Sequence, residues 1–159
     1  MKRYVKYLPY VTFLLALIST LASLSFSEIF KLVPCVLCWY QRICMYPLVL
    51  ISAVSIIRKQ KDLHTYVLPL TIVGLVIAIY HNLLYFHILP ESIAPCVNGV
   101  SCTSKQIEFF GFITIPFGSM IAFALLTATM ILYAKNIKKD PEVIVEKVKV
   151  EKSKLKKVK

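Results

Sequence analysis

Four apolar runs, at residues 8–26, 36–57, 67–86 and 112–133, constrain this 159-residue chain more than any other feature. Each has about the 20 residues that a helix needs to cross a hydrocarbon core. No water reaches that core to satisfy backbone amides, so runs of this kind must be helical, and short links between them make neighbours antiparallel. The expected fold is all-α, an integral membrane four-helix bundle over residues 1–134 with a basic tail over 135–159. Apolar residues make up 58 % of the chain and mean hydropathy is +0.71, which excludes a soluble domain of this size. The first run follows Lys2, Arg3 and Lys6 and so shares features with a secretory signal peptide. It is longer than the usual signal core of about 7–15 residues, and its removal would leave an odd number of spans, so it is read as a span.

Orientation follows from the basic residues, because Lys and Arg near span ends are retained on the cytoplasmic side. Lys2, Arg3 and Lys6 precede the first span, Arg58, Lys59 and Lys61 link the second to the third, and Lys135, Lys138 and Lys139 follow the fourth. These segments, and with them both termini, are expected to be cytoplasmic. The links 27–34 and 87–111 carry only Lys31 and Lys105, balanced by Glu28, Glu91 and Glu108, and are expected to face outward. The net charge of +11 is thus a topology signal plus a tail, with no aromatic-interleaved basic surface for nucleic acid. The tail alternates Lys, Glu and Val, is too polar to build a core, and is expected to be disordered or to lie on membrane lipid. No repeat of about 20–50 residues and no second domain is evident.

The five cysteines carry the chemistry: Cys35, Cys38, Cys44, Cys96 and Cys102. Cys35 and Cys38 stand three residues apart in Pro34-Cys35-Val36-Leu37-Cys38-Trp39-Tyr40-Gln41-Arg42, where the second span begins. That spacing puts both thiols on one face of a helical first turn, whose unpaired amides favour a thiolate. Arg42 lies one turn past Cys38 on the same face. A charge there is costly, about 2.5–3.5 kcal/mol at the bilayer centre, and intramembrane charges of this kind tend to be functional. Cys96 and Cys102 flank an Asn98-Gly99 turn signal in the second outward link, so their sulfurs can meet. Two pairs at one outward face, where disulfides persist, suit thiol-disulfide exchange. Cys44 lies about 9 Å deeper than Cys38 at 1.5 Å per residue and is read as packing. Inert structural disulfides, or zinc held by four cysteines, would also use such spacings. Neither gives Arg42 a reason to sit beside Cys38, and no resident metal is expected.

These residues resemble the DsbB/BdbC family of membrane thiol:quinone oxidoreductases. The likeness spans residues 9–133, and its most specific parts are Pro34 to Arg42, Tyr80-His81-Asn82-Leu83-Leu84 and Phe110-Gly111-Phe112-Ile113-Thr114-Ile115-Pro116-Phe117. The latter two, with the short Cys96–Cys102 spacing, are more similar to the BdbC branch. The resemblance implies an enzyme that reoxidises a thioredoxin-like oxidase (DsbA/BdbD-like) outside the cell membrane. Its electrons would pass to a membrane quinone, menaquinone or ubiquinone, and so support disulfide formation in exported proteins. Carried over by residue, Cys96 forms the mixed disulfide with the partner, Cys102 attacks Cys35, and Cys38 is freed as the thiolate facing the quinone. Arg42 then stabilises that thiolate and the charge developing on the quinone, and His81 lies close to the quinone to hydrogen-bond it or pass a proton. Tyr85 stands where relatives often carry Gln. A vitamin-K-epoxide-reductase-like enzyme is one rival, but its helix-borne pair would follow the loop pair, whereas here it precedes it. A non-enzymatic membrane protein with structural or metal-binding cysteines is the other. Trp39, Tyr40 and Phe110 fit an interfacial aromatic belt, and His64 and His87 are unassigned.

Overall fold

The computed structural model describes residues 6–60, 62–90, 108–109 and 113–137. The Cys96 and Cys102 assignments, the basic residues 2, 3 and 61, Phe110, and the tail beyond Ile137 lie outside the described residues. Helices α1 (Leu8–Glu28), α2 (Val36–Ile57), α3 (Leu63–Tyr85) and α4 (Ile115–Ile137) follow in chain order. Between α3 and α4, β1 (Glu108–Phe109) pairs antiparallel with β2 (Ile113–Thr114), Phe109 opposite Ile113.

The apolar runs explain the helices, and local chemistry explains where they stop. After α2, Lys59 takes φ 50° and the Gln60 amide donates to Ser55 O at 3.0 Å. After α3, His87 takes φ 55° and the Ile88 amide donates to Leu83 O at 3.0 Å. Both ends are the left-handed cap in which an amide just past the helix satisfies a carbonyl in its last turn. His87 is therefore part of a helix stop. Helix α3 starts at Leu63, ahead of the apolar run at 67, because Leu63 is itself buried in the core. Helix α4 starts later than the run at 112, because Ile113 and Thr114 are engaged in the β pairing and Pro116 suits a helix first turn.

Each helix packs on the next, and α1 also meets α4, so the four close into an all-α bundle. Fully buried Leu48, Phe123, Leu126 and Met130 form its centre. The tightest approach is between α3 and α4, where a Cβ at Gly74 would overlap the Phe123 ring. Small residues at such crossings let membrane helices approach closely enough for van der Waals packing to hold them. The outer surface is greasy: Leu14, Ile18, Leu21, Leu50, Val76 and Leu132 are all exposed. All four helices are long and apolar enough to cross a membrane. An exposed apolar coat of this extent is stable only in lipid, and the chain is a multi-pass membrane protein.

Candidate functional site

Cys35 caps the N-terminus of α2 in an extended conformation (φ −70°, ψ 169°), and its Sγ accepts the Cys38 amide at 3.4 Å. That cap satisfies one of the helix's orphan amides and turns the two sulfurs toward each other. They lie 2.9 Å apart as free thiols. A disulfide needs about 2.05 Å, so bond formation asks for a small side-chain movement and no helix rearrangement.

The two sulfurs have different surroundings. Cys35 is buried, and its Sγ lies 3.7 Å from His81 Nε2 on α3. Gln41, one turn below Leu37 on α2, places its amide Nε2 3.3 Å from His81 Nδ1. An amide donating to Nδ1 would leave the ring proton on Nε2, beside the Cys35 sulfur, and the opposite amide orientation would place it on Nδ1. The next residue, Asn82, donates its Nδ2 to Ala78 O at 2.8 Å and to Pro116 O at 2.9 Å, tying α3 to the start of α4. Successive helical residues point about 100° apart at 3.6 residues per turn, so His81 meets α2 while Asn82 holds α4.

Cys38 is half-buried and lines a partly open cavity of about 380 Å³ bordered by α1, α2 and α4, with Leu32, Pro34 and Thr114 at its edge. Gln41 and Arg42 supply polar groups to the same cavity, and Ala22, Phe26, Met45, Gly118 and Phe123 supply apolar wall. Arg42 is held in place from α1: its Nη2 donates to Ser23 O at 2.8 Å and to Ser27 Oγ at 3.1 Å. Its guanidinium also lies over the Trp39 ring, 5.6 Å from the centroid. Two charge-assisted hydrogen bonds and an aromatic face offset much of the cost of burying this cation.

The structure thus brings Cys35, Cys38, Arg42 and His81 together at one end of the bundle. His81 is not among the cavity-lining residues, however, and contacts Cys35 instead. Tyr85 packs edge-on against Phe86, with centroids 5.6 Å apart, and does not line the cavity either. Cys44 is buried in the apolar core beside Met45 and Leu48. His64 packs its ring against Tyr133 at 6.1 Å. Sequence reasoning missed Gln41, Ser23 and Ser27. Gln41 left a signal, being a polar residue inside an apolar span next to Arg42. Ser23 and Ser27, one helical turn apart on α1, left a fainter one.

A helix-borne thiol pair with a histidine on one sulfur and a cation-lined cavity on the other, set among four membrane helices, defines a membrane thiol-disulfide protein. The family model for disulfide bond formation protein DsbB matches residues 6–133, and the chain belongs to that family. It is 49 % identical over 123 residues to disulfide bond formation protein C of Bacillus subtilis (strain 168), covering 77 % of this chain and 89 % of that one. It is 39 % identical over 127 residues to a probable disulfide formation protein of Metapseudomonas resinovorans, covering 79 % and 88 %. It is also 37 % identical over 144 residues to the SPbeta prophage-derived disulfide bond formation protein B of Bacillus subtilis (strain 168), covering 89 % and 97 %. No solved structure gives a significant match. The family and the membrane helices together make this a disulfide-forming membrane oxidoreductase.

Proposed function

We propose that this protein reoxidises a thioredoxin-like dithiol oxidase outside the membrane and passes the electrons to a membrane quinone, menaquinone or ubiquinone. The observation that carries this reading is the position of Cys38. It touches Cys35 on one side and lines an apolar cavity beside Arg42 on the other. A cavity of about 380 Å³ falls in the range of about 300–1,000 Å³ usual for small-molecule sites. Apolar walls from α1 and α4 suit a hydrophobic ring, and Arg42 and Gln41 offer donors for its oxygens. A quinone bound there would supply an acceptor for two electrons and two protons.

The chain's own groups would act in sequence. The partner's thiolate attacks Cys96, which forms the mixed disulfide and releases Cys102. Cys102 attacks Cys35, breaking the Cys35–Cys38 disulfide and leaving Cys38 as the thiolate. Arg42, one turn away, stabilises that anion in a water-poor setting, where a fixed cation counts for more than in water. His81 Nε2, 3.7 Å from Cys35, holds or releases the proton belonging to that sulfur. When the partner's second thiol resolves the mixed disulfide it frees Cys96, which attacks Cys102, restores the Cys96–Cys102 disulfide and releases Cys35. The Cys35–Cys38 disulfide then reforms as two electrons and two protons pass to a quinone held beside Arg42, for a net gain of one disulfide in the partner. The basic residues between the spans support a cytoplasmic location for both termini, which puts the cysteine end outward.

The test is quinone reduction by the purified protein in lipid, supplied with a reduced thioredoxin-like oxidase. The parent is expected to turn over, and Cys38→Ser and Cys96→Ser are expected to be silent. Absence of turnover with menaquinone and ubiquinone, together with thiols inert to exchange, would replace this reading with inert structural cysteines.

A further inference from the structure

We infer that the reduced form of the helix pair is also a site for a thiophilic d10 cation such as Zn²⁺, with Cys35, Cys38 and His81 as its ligands. The three donor atoms lie within 4.8 Å of one another. With metal–sulfur bonds of about 2.3 Å and metal–nitrogen bonds of about 2.05 Å, tetrahedral ligation sets S···N near ~3.6 Å and S···S near ~3.8 Å. The Cys35 Sγ to His81 Nε2 separation is already 3.7 Å. The sulfur pair, at 2.9 Å, must open, and Cys38 is the half-buried member with the cavity to open toward.

A ligating imidazole commonly donates its remaining N–H to a fixed acceptor. Gln41 is placed for this, 3.3 Å from Nδ1. Turning its amide about the last bond presents oxygen to an Nδ1–H and leaves the Nε2 lone pair free for the metal. Three protein ligands leave a fourth position for water from the cavity that Cys38 lines. Binding converts two thiols and one cation into a dithiolate complex and releases two protons, with no change of oxidation state. Both sulfurs are consumed, so the disulfide form has no site and the occupied form cannot be oxidised. The cation is thus an inhibitor specific to the reduced state, and the binding itself does not depend on quinone being the electron acceptor.

The test is equilibrium binding of Zn²⁺ alone, by competition with a chromophoric chelator, to the full-length protein in lipid. A Cys96→Ser/Cys102→Ser background removes the loop thiols. One equivalent is expected to bind the reduced protein and none the oxidised one. His81→Gln and Cys35→Ser are each expected to weaken binding by at least about 100-fold, and Gln41→Leu by about 10–100-fold as a group supporting a ligand. Cys44→Ser, in the core away from the cluster, is expected to leave affinity unchanged. Unfolding midpoints of each variant separate lost ligation from lost fold. Equal binding by reduced and oxidised protein, or binding untouched by both His81→Gln and Cys35→Ser in folded protein, overturns the inference. Failure to bind any Zn²⁺ does so as well. Quinone turnover by the parent protein, with Cys96 and Cys102 intact, reports separately on the proposed function.

Discussion

Arg42 is expected to act on the reaction and not as a strut, and replacing it by Met separates the two roles. The side chain makes two hydrogen bonds to α1, at 2.8 Å to Ser23 O and 3.1 Å to Ser27 Oγ. A hydrogen bond involving a charged group contributes about 1.5–3 kcal/mol net, so a strut reading would have Arg42→Met cost about 3–6 kcal/mol of stability. The large values in mutant series, however, come from buried partners left unsatisfied, and that does not happen here. Ser27 Oγ keeps Ser23 O at 3.3 Å and Leu24 O at 3.2 Å as alternatives. Removing a cation from an apolar wall also returns its desolvation cost. The net stability change is therefore expected within about 1 kcal/mol. Activity is different: losing a preorganised charge beside a developing anion typically costs about 2.7–4 kcal/mol, or about 10²–10³ in kcat. Arg42→Lys keeps the cation but cannot keep both α1 contacts and the Trp39 stacking, so an intermediate loss of about 10-fold is expected. The assay pairs single-turnover oxidation of the reduced helix thiols with denaturant unfolding in detergent. A variant that loses more than about 3 kcal/mol of stability yet turns over normally would refute the argument and make Arg42 a helix clamp.

Two further outcomes follow from the packing. Gly74→Ala is expected to lower stability by about 1–3 kcal/mol, because the new methyl overlaps the buried Phe123 ring and forces α3 and α4 apart. The thermal midpoint in detergent checks this, and a midpoint equal to the parent's would show that the crossing is loose. Gly118→Leu tests the cavity: Gly118 lines it, and a Cβ there meets nothing within 4 Å. The fold is expected to keep its stability while the KM for quinone rises by at least about tenfold, since a branched side chain occupies ligand space. An unchanged KM would move the quinone site elsewhere.

Much of this molecule is present in the one-dimensional pattern, because a bilayer leaves few choices. An apolar run of about 20 residues must be helical, and its length alone sets the element, which is why α2 appears at Val36–Ile57 where the run 36–57 placed it. The Cys35–Cys38 contact and the position of Arg42 are equally local, since they depend only on helical spacing within one element. Helix ends were less legible. His87 is a stop because it adopts a left-handed cap, and nothing in its side chain announces that.

What the sequence could not determine is which sulfur meets which neighbour. His81 is 46 residues from Cys35 and comes to it only through the α2–α3 packing. The resemblance implies that this histidine lies close to the quinone; what the packing of α3 on α2 adds is its contact with Cys35, while the cavity beside Cys38 is lined largely from α1, α2 and α4. Gln41, Ser23 and Ser27 acquire their roles in the same way, as partners of His81 and Arg42 across helix interfaces. Spacing along one helix is fixed by 3.6 residues per turn and can be read from the chain. The azimuth of one helix against another is fixed by side chains meeting across the gap, such as Phe123 over Gly74, and exists only once the bundle has closed.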